Sequence, residues 1–165
     1  MKKYEFTGET KEIKLLFRTA VLHRIRATVS FGFVKIGDLG GWIEKEENLS
    51  HEGKAWVWGN AEVCGNAKVW GNAEVCGNAK VFSASHVLVI GAIGSRNDFT
   101  TFYRDKDNEI TVKCGCFLGK IDRFLEKVTQ THGDSKYALV YRAAVEVAKL
   151  QIDLSGEAPK DADEE

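Results

Sequence analysis

The chain has 165 residues (18.3 kDa), a formal net charge of −1, 44% hydrophobic and 28% charged residues. That size fits one domain, or one repeat core with appendages, and that balance excludes an intrinsically disordered chain. A near-neutral chain has no global field to steer it onto nucleic acid, so nucleic acid is not an expected partner.

No apolar run approaches the length of a membrane span, and the first thirty residues hold no signal-like apolar core. A cytoplasmic protein with four reduced cysteines and no membrane partner is expected. Residues 1–46 read as an N-terminal β cap. Tyr4 to Thr7 precedes a turn at Gly8, Leu22, Ile25, Ala27 and Val29 alternate loosely with polar residues, and Gly37 to Gly41 is turn chemistry.

Residues 47–98 carry the organising pattern. From Gly59 to Phe82 the sequence repeats Gly-Asn-Ala-(Glu/Lys)-Val-(Cys/Trp/Phe) four times with a period of six. This places aliphatic residues at Val57, Val63, Val69, Val75 and Val81, and in weaker form at Val87 and Ile93. Ile43 and Leu49 keep the spacing but stand two residues out of phase, which implies an insertion before the regular part. Alanine and valine two apart on a strand share a side, so they should line a core, with Glu62 and Cys64 facing out and Gly-Asn making the corners. A hexapeptide period is a β-helix signature, and three corners close a coil of about eighteen residues. The expected fold class is therefore mainly β: a short left-handed parallel β-helix with an N-terminal β cap, a β-hairpin and a C-terminal helical hairpin. Neighbours eighteen apart should stack Glu62 on Lys80, Lys68 on His86, Trp58 on Cys76, Cys64 on Phe82 and Trp70 on Leu88.

Residues 99–118 read as a β-hairpin turning at Asp105 to Asn108. Residues 119–152 read as two helices. The first presents Ile121, Phe124, Leu125 and Val128 and ends at Gly133, and the second presents Tyr137, Val140, Ala144, Val147 and Ala148. Residues 153–165 form an acidic tail containing Pro159, the one proline.

The Gly59–Phe82 repeats resemble the hexapeptide-repeat left-handed β-helix superfamily. That resemblance implies either an acyl-CoA-dependent acyltransferase, with a histidine as base and usually trimeric, or a non-catalytic coil. The flanks, Leu22 to Arg26, Gly37 to Glu44 and Thr131 to Ala138, resemble uncharacterised proteins of temperate phages that carry Gly-Asn-Ala coils, which implies a phage or prophage source.

Candidate residues follow from these readings. His86, the one histidine inside the coil, is the weak candidate for a catalytic base. The repeats run on without the long loop that closes over the acyl donor in many such enzymes. Cys114-Gly-Cys116 lacks the usual zinc spacing, so no metal is expected, nor any other cofactor. Trp56, Trp58, Trp70, Phe82 and Leu88 are an outward apolar set that the C-terminal helices, another subunit or, third, an external partner should cover. Arg24, Arg26 and Arg96 are candidate anion contacts. The expected function is a non-catalytic phage binding or scaffold protein, forming a dimer or trimer through its coil and acting on a host defence system by binding a host protein or capturing a small nucleotide. The alternatives are the acyltransferase with His86 as base, and a phage structural or assembly component.

Overall fold

The computed structural model describes residues 2–155; the acidic tail from residue 156, with Pro159, lies outside them. The alternation in each repeat decides which side chains are inside. Val57, Val63, Val69, Val75 and Val81 and the alanines two positions before them are all at most 1% exposed and form one core cluster. Four of the hexapeptides contribute only two strand residues before the next corner, β4 (Trp56–Val57), β5 (Glu62–Val63), β6 (Glu74–Val75) and β7 (Lys80–Val81), and residues 65–70 contribute only the bridge at Val69. Glycine is required at the corner. Gly65 has φ 65°, and a Cβ there would meet the Phe82 carbonyl oxygen at 2.5 Å.

These strands pair in parallel eighteen residues apart, Glu62 with Lys80 and Trp56 with Glu74. Trp42 pairs with Glu62 and Leu49 bridges Val69, both twenty apart. The two extra residues thus fall between Leu49 and Trp56, where the sequence changes phase.

The expected fold class is corrected here. The chain is mixed α/β, built from small antiparallel and mixed sheets with two helices, and among the described residues it forms no closed or continuous parallel β-helix. Parallel pairing is confined to two-residue pairs and one isolated bridge. Ladders that short cannot set the architecture alone, and the longer flanking strands do so instead. β1 (Tyr4–Lys14) and β2 (Thr19–Ala27) form an antiparallel hairpin, and β2 pairs with β3 (Leu39–Ile43). β3 then continues in parallel to β5 and β7, giving one five-stranded mixed sheet. The N-terminal block is thus part of the same sheet as the repeats. It also closes one end of them, because Lys3 donates from Nζ to the Ala55 carbonyl (2.6 Å) and the Tyr4 hydroxyl to that of Leu49 (2.6 Å).

After Phe82 the Gly-Asn corner is missing, and the parallel register stops. Ser83 Oγ accepts the Ser85 N–H at the start of a short 3-10 turn, Ala84–His86. β8 (Val87–Ile93) then runs antiparallel to β9 (Asp98–Arg104), followed by β10 (Ile110–Cys114) and β11 (Phe117–Lys120). One face of this four-stranded sheet, through Val87, Val89 and Tyr103, closes the other end of the repeat core. The opposite face, through Leu88, Ile90, Phe102 and Val112, packs on α1 (Ile121–His132) and α2 (Lys136–Gln151).

α1 buries Ile121, Phe124 and Val128 and stops at Gly133, whose positive φ of 57° lets its N–H reach the Thr129 carbonyl. α2 turns a different face inward from the expected one. Ala138, Tyr141 and Val145 join Ala144 and Ala148 in the core, while Tyr137 and Val147 stay exposed. Among the described residues no helix is long and apolar enough to cross a membrane.

Candidate functional site

The outward positions of the repeats fall on three faces, and the chain itself covers two of them. On the first face, Glu62 is 1% exposed and its carboxylate holds Lys80 (2.9 Å) and Lys11 (2.6 Å). Lys11 comes from the β1–β2 hairpin and also lies over the Trp42 ring, 4.6 Å from its centroid. Cys64 is enclosed by Ile13, Ala20 and Leu22 of the same hairpin, and burial pushes its thiol up to about 12. The tip of the hairpin is latched by Arg18, which binds both Glu44 oxygens (2.6 and 3.0 Å), while Glu44 also accepts the Gly65 N–H. The Arg18 guanidinium holds the Glu44 carboxyl down at about 2.

On the second face Trp56 is not outward in effect. It is 1% exposed, edge-on to Phe31 and Tyr4 inside the core. Trp58 is half-buried, and its indole N–H has no partner among the described residues. The Tyr103 hydroxyl of β9 accepts the Cys76 N–H and donates to the Cys76 carbonyl, and Thr101 Oγ1 accepts the Glu74 N–H.

The third face is open. A shallow groove of about 400 Å³ lies between the Asn66–Trp70 segment and the start of β8, with Ala84 just before it. It is lined by Asn66, Lys68, Trp70, Ala84, Val87, Leu88 and Val89. Trp70 is 48% exposed and rests edge-on against Phe99 (5.7 Å), and Lys68 makes no ion pair among the described residues. Asn66 Oδ1 accepts the Ala84 N–H and ties one end of the groove together.

The residues singled out in the sequence are therefore dispersed. Of the five expected outward apolar residues only Trp70 stands open on this face, while Leu88 lines the groove from β8 and packs towards α1 and α2. Phe82 is half-buried under the Arg104 guanidinium (5.0 Å). The N-terminal hairpin, weighed neither as cover nor as partner in the sequence, covers the first face. Arg24 donates from Nε to the Gly40 carbonyl and lies over Trp42, Arg26 pairs with Glu5 (3.0 Å), and Arg96 lies beside Gly115 near the opposite end of the molecule. They form no common anion site.

His86 sits next to the groove, not in it. Its Nδ1 accepts the Phe82 N–H (3.1 Å), and burial, with Arg104 nearby, lowers its pKa to about 4. The ring is neutral at pH 7 with its proton on Nε2, so no lone pair is left to take a proton from a substrate. Cys114 Sγ accepts the Thr100 hydroxyl, Cys116 is exposed, and no group of three or more metal-binding side chains occurs among the described residues. No family model matches the chain, and no curated protein matches it.

Proposed function

We propose that this is a non-catalytic binding protein and that the open third face is where it engages its partner. The observation that carries the reading is the groove. Two faces of the repeats are sealed by the chain's own strands, and the third leaves a half-exposed tryptophan in a groove lined by Val87 and Val89, with a lysine without an ion pair among the described residues. Aromatic residues in a concave surface are the usual anchors of a protein interface. The resemblance of the flanks to temperate-phage proteins supports a role in the cytoplasm of a host bacterium, with a host protein as the target. Protein binding is favoured over nucleotide capture because Arg24 and Arg26 are engaged in contacts within the fold. The homo-oligomer was expected through the coil; a separate apolar surface, on α2, leaves Leu139, Val147 and Leu150 60%, 46% and 89% exposed.

The test compares capture and catalysis in the same preparation. The reading expects a host protein retained by the wild-type chain and released by Trp70→Glu, with no turnover of acetyl-CoA. Acetyl transfer that disappears in His86→Ala would overturn it.

A further inference from the structure

We propose that the groove is a slot for an added β-strand, filled by an extended segment of a partner protein whose side chains are apolar with an acidic one placed beside Lys68. This rests on the binding reading above and names how the partner is held.

The observation is an interrupted hydrogen-bond ladder. On the other two faces, the N–H groups of outward residues donate to carbonyls seventeen residues further on. Glu62 donates to Ala79 (3.0 Å), Cys64 to Val81 (2.9 Å), Trp56 to Ala73 (3.1 Å) and Trp58 to Val75 (2.8 Å). The corresponding acceptors for Lys68 and Trp70 would be the carbonyls of Ser85 and Val87. Ser85 instead accepts from the Asp153 N–H (2.9 Å), and Val87 has turned into β8, antiparallel to β9. Among the described residues, no backbone acceptor faces the Lys68 and Trp70 N–H groups.

The segment is nevertheless held in place through the bridge at Val69. On its other side Val69 donates to the Asn48 carbonyl and accepts the Ser50 N–H, each at 2.9 Å. The opposite wall is also an edge, since β8 is the last strand of the four-stranded sheet. Every second residue of such a strand turns its N–H and C=O away from its partner. Two unpaired edges therefore border one groove. Unpaired donors beside apolar side chains are poorly served by water and are a template for another extended chain.

Side-chain chemistry narrows the guest. Alternate residues of an added strand point to opposite sides. Those turned inward meet Val87 and Val89, which demands apolar groups, and one turned outward next to the Lys68 ammonium is acidic, with an apolar neighbour against Trp70.

The experiment pans a yeast-displayed library of random nonapeptides on the full chain and measures the best peptide by fluorescence anisotropy. Enrichment of alternating apolar peptides containing Asp or Glu is expected. Binding should weaken at least about tenfold on N-methylation of one alternate set of peptide amides and hardly at all for the other set. Trp70→Lys should weaken it by a similar factor, and Lys68→Glu should shift the preference to basic peptides. Both positions are exposed, and an unchanged circular dichroism spectrum verifies that each variant folds. No enrichment, or binding indifferent to N-methylation and to Trp70→Lys, overturns the proposal. A doubled native mass that falls with Trp70→Lys would assign the slot to a second copy, and peptide capture gained only on removing residues 156–165 would assign it to the chain's own tail. Either result overturns a separate partner. A chain blind to peptides that still captures a protein through Trp70 sinks this inference alone and leaves the binding reading standing.

Discussion

Asn48 offers the sharpest test of how the first repeat is joined to the next. It ends the short 3-10 turn Glu46–Asn48 and is fully buried. Its side-chain nitrogen donates to the carbonyls of Gly65 (3.1 Å) and Ala67 (2.9 Å), and its oxygen accepts the Lys45 N–H (2.9 Å). One amide thus stands in for a stretch of strand beside the Leu49–Val69 bridge. Asn48→Ala removes three hydrogen bonds, each contributing about 1 kcal/mol net, and strands two carbonyls, so a loss of about 3–4 kcal/mol is expected. In a chain of this size that lowers Tm by roughly 6–16 °C. Asn48→Asp is more informative. Above its pKa it places a carboxylate against two carbonyl oxygens, so its folded-state pKa must lie above the unfolded value of about 3.9. Its deficit is then smallest when the group is protonated and grows as pH rises from about 4 to 8. Urea unfolding of the three proteins at several pH values reads both effects as midpoint shifts at constant slope. A loss below about 1 kcal/mol for Asn48→Ala, or an Asn48→Asp deficit that does not change with pH, would refute the reasoning.

Three further outcomes are expected. The folded-state pKa of His86 is depressed, so the unfolded chain binds the extra proton first, and the stability it confers is complete above about pH 6.5 and declines as pH falls towards 4. For a half-buried ring this amounts to about 1–2 kcal/mol, and His86→Asn, which keeps an acceptor for the Phe82 N–H, should flatten the slope of stability against pH in that window; an unchanged slope would remove His86 from the account. Gly65→Ala should cost clearly more than Gly59→Ala in thermal unfolding, because both have φ near 60° but only Gly65 faces the Phe82 carbonyl, with open space at Gly59; equal costs would mean that this corner is not closely stacked. A disulfide reagent at pH 8 should label Cys116 fast and Cys114 more slowly, and reach Cys64 and Cys76 only on unfolding, since burial holds both thiols up at about 12; rapid labelling of Cys64 would show that the β1–β2 hairpin does not sit over it.

Local physics in the repeats was legible from the sequence, and long-range pairing was not. The spacing of Val63, Val69 and Val75 placed them inside, and the offset of eighteen placed Glu62 on Lys80, but not Trp70 on Leu88, which pairs with Phe102 instead. The architecture was misjudged because the longest strands carry little pattern. β1 is eleven residues long yet buries only Tyr4 and Ile13, so nothing in its mostly polar sequence announces a hairpin that covers Glu62 and Cys64. Val87 and Ile93 kept the period of six and read as further repeats, but without Gly-Asn corners that segment had no means to turn, and it paired with β9 instead. The open groove is a product of that switch. Its signal was the loss of the corner after Phe82, not any residue within the groove.

The Lys68–Trp70 segment is left unpaired on its outer edge while its counterparts on the other faces are not. Native-state hydrogen exchange resolved to single amides tests this most directly. The Lys68 and Trp70 amides should exchange orders of magnitude faster than those of Glu62, Cys64, Trp56 and Trp58. Equal protection at all six positions would mean that the ladder continues across the third face and that no slot exists.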